Sequence, residues 1–363
     1  LRIKYIVEKE QLGTGGAIIN ALPLLDNKFM VIYGDIFFDF SIKKFYDFHR
    51  DNKSEVSLVV HPNDHPYDSD LVLMDETARV EKILPSPHPK GLYYENLVNA
   101  AAYIFNKSAL LNYPVTKFDI AKELIPRLIE AKKRVFGYRT SEYLKDMGTP
   151  DRLSKLTEDI LSGKVSRRLA NKKKEAVFLD RDGVINHDIG HINKKIDFKL
   201  IDGAAEGISI LNQMGYLVIV VTNQPVIARG ELTDQGLREI HNKMEKLLGD
   251  QRAFIDDLFY CPHHPDSGYE GEILALKKNC SCRKPGTGMI NAAVNKHNID
   301  VNNSWLIGDR YTDIEAGNKS GLKTILLKNK PEIYDSESIF RIPKFTFNNL
   351  KISVKFILKK SAN

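Results

Sequence analysis

Two aspartates, Asp180 and Asp182, stand two residues apart at the end of an apolar run in the segment FLDRDGVIN. A carboxylate can attack phosphorus and form an aspartyl-phosphate, which divides one difficult displacement into two easier ones. A second carboxylate beside it can protonate the leaving oxygen and then activate water. Gly183 would allow a sharp exit from the preceding strand. The pair alone is a weak signal, because aspartates beside glycine are common in turns.

Three later segments carry residues that suit the same chemistry. VVTNQ places Thr222 and Asn223 where a hydroxyl and amides can hold phosphoryl oxygens, and RKPGTG supplies the compact positive charge of Lys284. IGDRYTDIEAG supplies Asp309, with Asp313 one helical turn later. Asp180 and Asp309 together would make the hard oxygen site that Mg²⁺ prefers. The ion would offset the repulsion between an anionic nucleophile and an anionic substrate.

All three cysteines fall within 22 residues, in CPHH (261–264) and CSC (280–282). Paired ligands at these spacings suit tetrahedral Zn²⁺ in a reducing compartment better than a disulfide framework. The expected ligands are Cys261, His263, Cys280 and Cys282, with His264 as the competing histidine. Four protein ligands leave no open position, so the site would be structural. A zinc knuckle for nucleic acid is disfavoured, because Tyr269 alone is a poor stacking platform.

Short apolar strands alternate with helical segments from Ala176 onward, which predicts a doubly wound parallel sheet. The predicted strands are 176–180, 216–223, 304–309 and 323–327, and the predicted helices are 203–215, one capped by Thr233, 288–298 and 312–319. Asp180, Thr222 and Asp309 each stand at the end of a strand. Ligands bind beyond the carboxyl ends of strands in such sheets, so three distant segments are expected to meet in one crevice.

The first half also predicts an α/β domain, with strands at 29–35, 54–62 and 96–105 and an amphipathic helix at 118–133. At 363 residues the chain is long enough for two domains. The predicted organisation is a first domain over 1–161, a polar, basic linker over 162–175, a second domain over 176–330 and a tail over 331–363. Within the tail, Leu350, Val354 and Ile357 have the spacing of a packing helix.

Composition describes a globular protein, with 42% hydrophobic and 28% charged residues. No apolar run has the length of a membrane span and no signal peptide opens the sequence, so a cytoplasmic location is expected. The formal net charge of +6 gathers in two basic runs, which are usually solvated faces or linkers. The sequence begins at Leu1, as expected of a fragment.

The ordered segments DRDGVIN, TNQ, RKPGTG and GDRYTD resemble the haloacid dehalogenase superfamily. More narrowly, they are similar to the D-glycero-D-manno-heptose 1,7-bisphosphate phosphatases over essentially all of 175–330. That resemblance implies removal of the 7-phosphate, with the 1-phosphate left in place. Where better-known members of the family carry Ser-Gly after TNQ, this chain has Pro225-Val226, which puts the anomer preference in question.

The resemblance also implies a role for each matching residue. Asp180 would be the nucleophile, Asp182 the general acid/base, and Asp309 a magnesium ligand together with Asp180 and the backbone carbonyl of Asp182. The implied binders of substrate and phosphate are Thr222, Asn223, Gln224, Arg283 and Lys284, and the implied zinc ligands are Cys261, His263, Cys280 and Cys282. The fork of Arg283 suits the distal phosphate.

In the first half, EKEQLGTGGA, YGD and DMGTPDRL resemble the sugar nucleotidyltransferases, whose domain is Rossmann-like. Glycines in such a segment let backbone approach a base or phosphate. The residues that this resemblance selects are Glu8 (or Glu10), Gly13, Thr14, Gly15, Asp35 and Asp146, the last two as paired metal carboxylates. The family's triphosphate loop would precede residue 1, so the first half as given is expected to bind nucleotide poorly and to catalyse little. Lys82 and Lys90 are both candidates for the sugar-phosphate lysine.

Together the two resemblances imply a bifunctional chain of GDP-heptose biosynthesis. The phosphatase would yield heptose 1-phosphate, preferably as the α anomer, and a guanylyltransferase would activate it with GTP. A phosphatase of histidinol phosphate or of another sugar phosphate is the alternative among enzymes. A non-catalytic scaffold ordered by zinc is the alternative from another class. Neither a nucleic-acid nor a membrane partner is expected.

Overall fold

The computed structural model describes residues 2–328 and 338–361, which form two compact units. The first unit comprises the described residues up to His61, then Pro66–Leu92 and Leu97–Ser154. The second comprises the short segments Pro62–His65 and Tyr93–Asn96 together with the described residues from Lys155 onward. The predicted boundary between 330 and 331 lies outside the described residues. No helix among the described residues is long and apolar enough to cross a membrane.

A mixed sheet forms the centre of the first unit. Its elements are α1 (Gly13–Ala21), β1 (Lys28–Ile32), β2 (Ile36–Asp39), α2 (Ile42–Asp51), β3 (Val56–His61), β4 (Leu71–Met74), β5 (Val80–Leu84), β6 (Val98–Asn106), α3 (Ile125–Glu130), β7 (Val135–Arg139), β8 (Tyr143–Asp146) and α4 (Pro150–Leu161), which crosses into the second unit. The strand order is β5-β4-β6-β3-β7, β1 also pairs with β6, and β2 and β8 form a separate antiparallel ribbon.

The predicted strands of the first half correspond to β1, β3 and β6, whereas the predicted helix over 118–133 is divided. A π-helical turn over Ile120–Leu124 precedes α3, and Pro126 lies in the first turn of α3. Proline is tolerated there because it lacks an N–H that a first turn leaves unused in any case. Of the sheet's pairings, β3 with β7 is parallel and the others are antiparallel.

The second unit is built on a parallel sheet. Its elements are α5 (Lys164–Arg167), β9 (Ala176–Leu179), α6 (Ala204–Gln213), β10 (Leu217–Asn223), α7 (Asp234–Gly249), β11 (Asp257–Cys261), α8 (Gly288–His297), β12 (Trp305–Gly308), α9 (Tyr311–Lys319), β13 (Lys323–Leu327), β14 (Phe345–Phe347) and α10 (Leu350–Ser361). The strand order is β11-β10-β9-β12-β13-β14, and every pairing is parallel. The predicted strands and helices lie within two residues of these bounds; β11 and β14 were not among them.

Alternate residues of the strands pack on opposite faces of this sheet. Val177 and Leu179 of β9 share a core cluster with α6, α7 and α10, whereas Phe178 belongs to a cluster with α8 on the other face. Because both faces are covered by helices, β9 is apolar at every position. Leu350, Val354 and Ile357 of α10 are buried in the first of these clusters. With β14, they extend this core beyond the predicted domain end at 330.

The segment 162–175 differs from the predicted solvated linker. Arg168 is buried, and its guanidinium donates to both carboxylate oxygens of Asp256, at 2.7 and 3.0 Å, and to the carbonyl of Tyr216 at 2.8 Å. Val165 and Lys174 are buried as well. A basic run looks like a linker in the sequence because its anionic partner, 88 residues away, is not visible there.

We therefore expect Arg168→Ala to destabilise the second unit by about 3–5 kcal/mol, because Asp256 would keep a buried charge without this partner. The measurement is urea unfolding of the full chain followed by fluorescence of Trp305, which is the one tryptophan of the sequence and lies in β12.

The matched control is Lys173→Ala, which removes an exposed positive charge from the same basic run and is expected to leave the midpoint nearly unchanged. Equal midpoints for the two variants would contradict a packing role for Arg168.

Candidate active site

The carboxyl ends of three neighbouring strands of the second unit meet at one cavity. Asp180 follows β9, Thr222 and Asn223 end β10, and Asp309 follows β12. The cavity has a volume of about 260 Å³. Its lining residues are Asp180, Asp182, Asp188, Gly190, His191, Ile192, Thr222, Asn223, Gln224, Pro225, Val226, Arg283, Lys284, Arg310, Thr312 and Asp313. The list includes every predicted catalytic and substrate-binding residue.

Lys284 lies buried between two carboxylates. Its Nζ is 2.8 Å from Asp180 Oδ1, 2.7 Å from Asp313 Oδ1 and 2.8 Å from the carbonyl oxygen of Val221, to which it donates. Burial opposes the charge of the ammonium, but Asp180 and Asp313 outweigh it and raise the pKa of Lys284 above its usual range. The lysine therefore stays protonated beside the candidate nucleophile. The sequence had pointed to Asp313 only as a neighbour of Asp309.

Asp180, Asp309 and Asp313 each offer a carboxylate oxygen, and the three oxygens lie within 4.8 Å of one another. Burial, together with Asp313 and Asp182, raises the pKa of Asp180 to about 6 despite Lys284. Burial, Asp180 and Asp313 likewise raise the pKa of Asp309 to about 8. Asp309 Oδ1 is buried and has no hydrogen-bond partner among the described residues. Hard oxygens with excess negative charge and an unused acceptor fit a divalent cation such as Mg²⁺.

Gly183 allows the loop after β9 to pass close to Asp309. Its φ is +80°, and a Cβ added there would lie 2.0 Å from Asp309 Oδ2. The backbone turns back at this point, because Gly183 N donates to the carbonyl of Asn186 at 2.7 Å. A side chain at this position would push the two segments apart, which explains the glycine that follows the paired aspartates.

Asp182 is held by three neighbours, two of which the sequence did not single out. Asn186 Nδ2 donates to its Oδ1 at 2.8 Å, Gln224 Nε2 donates to its Oδ2 at 2.9 Å, and Arg181 Nη2 reaches both oxygens at 2.9 Å. Gln224 Nε2 also donates to Thr222 Oγ1 at 2.8 Å. Arg181 and Asn186 belong to the DRDGVIN segment, so their proximity to Asp182 was the only signal in the sequence.

Asn223, a predicted binder of substrate and phosphate, pairs with the backbone of Lys284. Its Nδ2 donates to the carbonyl of Lys284 at 3.1 Å, and its Oδ1 accepts from Lys284 N at 3.0 Å. This reciprocal pair fastens the loop that carries Lys284 to the end of β10. Asn223 therefore holds the lysine in place while it lines the cavity.

Positively charged and imidazole side chains also line the cavity. Arg283 donates to the carbonyl of His263 at 3.3 Å, and Arg310 Nη2 donates to Asp188 Oδ2 at 3.0 Å. His191 lines the cavity as well, and its Nε2 lies 2.9 Å from Arg229 Nη1. Arg283 was predicted as a binder of the distal phosphate, whereas Arg310, His191 and Asp188 were missed.

Four possible metal ligands converge beside this wall. The Sγ atom of Cys282 lies 3.1 Å from that of Cys261 and 3.2 Å from that of Cys280, and His263 Nδ1 lies 3.3 Å from Cys282 Sγ. The cysteines are free thiols. His264 is not part of this cluster, because its Nδ1 accepts from Asp266 N at 3.2 Å. The geometry thus selects His263 over His264 as the fourth ligand of any metal held here.

In the first unit, the glycines and the threonine of GTGG pack a helix instead of forming an open loop. Gly13 begins α1, and Gly15 N donates to the carbonyl of Phe118 at 2.9 Å. A Cβ on Gly15 would lie 2.2 Å from the Phe118 ring. Thr14 Oγ1 donates to Asp119 Oδ2 and accepts from Ile120 N, both at 2.9 Å. The glycines and the threonine of this segment thus pack closely against the segment around Phe118.

Asp35 and Asp146 meet at one end of the β2–β8 ribbon, as paired carboxylates should. A Cβ added at Gly148 would lie 2.8 Å from Asp35 Oδ2 and 3.3 Å from Asp146 Oδ1. Asp146 also pairs with Arg152 at 2.6 Å. Glu8, by contrast, accepts from Leu12 N at 3.1 Å and caps the turn before α1.

Comparison with known proteins agrees with this division. The nucleotidyl transferase family model matches residues 1–163, and the model described as HAD-hydrolase-like matches residues 281–350. The D-glycero-β-D-manno-heptose-1,7-bisphosphate 7-phosphatase of Photorhabdus laumondii is 38% identical over 186 residues, which cover 51% of this chain and 97% of that protein. The protein of that name from Escherichia coli K12 is 36% identical over 169 residues, covering 46% of this chain and 86% of the relative.

Two solved structures give weaker overall matches. The D,D-heptose 1,7-bisphosphate phosphatase of B. bronchiseptica, complexed with magnesium and phosphate, is 26% identical at a TM-score of 0.43, covering 51% of this chain and 99% of its own. HddC from Yersinia pseudotuberculosis is 28% identical at a TM-score of 0.37, and the match covers 43% of this chain and 65% of HddC. From the sequence relatives, the chain belongs to the family of D-glycero-β-D-manno-heptose-1,7-bisphosphate 7-phosphatases, phosphoric monoester hydrolases of the haloacid dehalogenase type, and carries a nucleotidyltransferase domain in its first half.

Proposed function

We propose that the second unit removes the 7-phosphate of D-glycero-D-manno-heptose 1,7-bisphosphate through an aspartyl-phosphate on Asp180. The observation that carries this proposal is the contact of Asp180 with the buried ammonium of Lys284, next to two further carboxylates and at the wall of a cavity. A carboxylate kept beside a fixed positive charge can approach a phosphate dianion without facing its full repulsion.

In the first step, a carboxylate oxygen of Asp180 attacks phosphorus and the bond from phosphorus to the sugar oxygen breaks. Oδ1 already accepts from Lys284 and from Arg181 N, at 2.8 Å in each case, which leaves Oδ2 for phosphorus or for a cation. Asp182 gives its proton to the leaving sugar oxygen. Lys284 and Thr222 stabilise the charge on the phosphoryl oxygens.

In the second step, water attacks phosphorus and the bond between phosphorus and Asp180 breaks. Asp182, now a carboxylate, takes the proton from that water and returns to its starting form. Its three neighbours, Arg181, Asn186 and Gln224, hold the carboxylate in one place through both steps. Inorganic phosphate then leaves the cavity.

The ligands that we assign to Mg²⁺ are the carboxylates of Asp180 and Asp309 and the backbone carbonyl of Asp182. The bound ion supplies charge neutralisation between the nucleophile and the phosphate. Asp309 Oδ1, buried without a hydrogen-bond partner among the described residues, supports this assignment. Asp313, the third carboxylate of this cluster, pairs with Lys284 at 2.7 Å.

The substrate assignment rests on the basic residues that line the cavity and on the relatives. Arg283, Arg310 and His191 line the same cavity and offer donors beyond those that contact Asp180, which suits a substrate with a second phosphate. The curated relatives are named for the β anomer. We assign the α anomer to this chain, because Pro225 and Val226 line the cavity where better-known members of the family carry Ser-Gly, and because heptose 1-phosphate would feed the first half.

For the first half we propose a guanylyltransferase that joins GTP and heptose 1-phosphate in GDP-heptose biosynthesis. Asp35 and Asp146 beside Gly148 are the assigned carboxylates for its metal. We further propose a structural zinc on Cys261, His263, Cys280 and Cys282. Its loop leads directly to Arg283 and Lys284, and the carbonyl of Cys261 accepts from Gln224 N at 2.8 Å. Thiolate ligands of this kind suit the cytoplasm.

The purified full chain is expected to release phosphate from α-heptose 1,7-bisphosphate faster than from the β anomer, from heptose 7-phosphate or from histidinol phosphate, with Mg²⁺ required. Asp180→Asn is expected to lower kcat by at least about 10³-fold, because the amide cannot form the covalent intermediate. The measurement is phosphate release under initial-rate conditions.

Asp202→Asn, an exposed aspartate outside the cavity, serves as the control and should keep full activity. Unchanged turnover in Asp180→Asn would leave the scaffold interpretation standing. Faster release from the β anomer would contradict the assignment to GDP-heptose biosynthesis. Faster release from histidinol phosphate would contradict heptose 1,7-bisphosphate as the substrate. Neither result would bear on the role of Asp180 as nucleophile.

Elemental analysis of the purified chain is expected to find one zinc ion per molecule. His263→Ala should bind zinc more weakly, because one of four ligands is lost, whereas the neighbouring variant His264→Ala should retain it. Competition with a chromogenic chelator measures the difference. If both variants release zinc at the same chelator concentration, the assignment of His263 is wrong.

A further inference from the structure

We infer that His241 is a positioning residue for the phosphatase reaction, acting on Asp182 through the buried side chain of Arg181. The inference rests on the proposed function, in which Asp182 protonates the leaving oxygen. His241 lies in the middle of α7, and it matched no motif in the sequence. Hydrogen bonds join the side chain of His241 to that of Arg181, and the side chain of Arg181 to that of Asp182.

Arg181 is the link between these two residues. Its side chain is fully buried, which a guanidinium tolerates only when its N–H groups find acceptors. Nη2 donates to both oxygens of Asp182 at 2.9 Å, and Nε donates to Oδ1 at 3.2 Å. Nη1 points the other way and lies 3.2 Å from His241 Nε2. The guanidinium is therefore held from two sides.

His241 can accept from Arg181 only as a neutral ring. Burial lowers the pKa of His241 well below its ordinary value, and the positive charge of Arg181 lowers it further. Nε2 thus carries a lone pair directed at Nη1, with the ring proton on Nδ1. The ring is kept in place by α7 and by the neighbouring Tyr260, whose ring centroid is 6.0 Å away.

Without the imidazole, Nη1 would lose the one acceptor that the described residues provide for it. A buried guanidinium in that position would turn towards another acceptor or admit water, and its grip on Asp182 would loosen. Asp180 and Lys284 would keep their own contact, since neither touches His241. The expected defect is thus confined to proton delivery to the leaving group and spares attack on phosphorus.

The test compares kcat/KM for a sugar phosphate and for p-nitrophenyl phosphate in the full chain. The sugar alkoxide needs a proton to leave, whereas p-nitrophenolate leaves without one, so their ratio reports on the acid. Asp182→Asn should lower the ratio by about 10²–10⁴-fold. His241→Leu should lower the ratio by roughly tenfold. His241→Gln should keep the ratio near that of the unmodified chain, because the amide oxygen of Gln can accept from Arg181.

His297→Leu is the matched control, since His297 is also a buried histidine of the second unit and lies 2.7 Å from Asp257, away from the cavity. It should change stability but not the ratio. If Asp182→Asn leaves the ratio unchanged, the proposed acid role fails. If Asp182→Asn shifts it and His241→Leu behaves as His297→Leu does, the inference about His241 is overturned.

Where His241→Leu fails to fold, His241→Asn replaces it in the comparison. The asparagine side chain is polar but too short to reach Nη1 of Arg181. The ratio should therefore fall in His241→Asn and stay unchanged in His241→Gln. Equal ratios in these two variants would also overturn the inference.

Discussion

The ammonium of Lys284, buried between Asp180 and Asp313, is the interaction on which the rest of the second unit depends. A buried charge is tolerated only when it is paired and hydrogen-bonded, so every element that places these three groups is constrained. The carbonyl of Val221 in β10 accepts one hydrogen bond from the ammonium, and the side chain of Asn223 pairs with the backbone of Lys284. Strand β10, the loop after the cysteines and helix α9 must therefore keep a single arrangement.

One ammonium does not balance the carboxylates around it. Asp180, Asp309 and Asp313 lie within 4.8 Å, and burial together with mutual repulsion raises the pKa values of the first two. The same excess of negative charge fits the binding of a divalent cation. Gly183 belongs to this arrangement, because only a residue without Cβ lets the loop approach Asp309. Charge and close backbone packing thus depend on the same few positions.

The two units show that a motif can have different physical reasons in different folds. In the second unit, Gly183 lets the loop after β9 turn close to Asp309. In GTGG of the first unit, Gly15 is required by the ring of Phe118, and the hydroxyl of Thr14 is bonded to Asp119 and to Ile120 N. Asp35 and Asp146, 111 positions apart in the sequence, nevertheless meet beside Gly148. The carboxylate pair and the packed glycine segment are thus separate features of the first unit.

The amino-acid sequence by itself determined which residues stand at the carboxyl ends of the strands. Apolar runs define β9, β10 and β12, and parallel strands bring their ends to one edge, so Asp180, Thr222 and Asp309 could be placed together without coordinates. Ligand spacing brought the cysteines together in the same way. Only the tertiary structure decided that Asp313 shares Lys284, that Arg168 pairs with Asp256, that Asn223 holds a loop and that His241 faces Arg181. Each of these is a contact between side chains from distant segments, and the partner of a buried charge depends on packing, which no periodicity or spacing in the chain records.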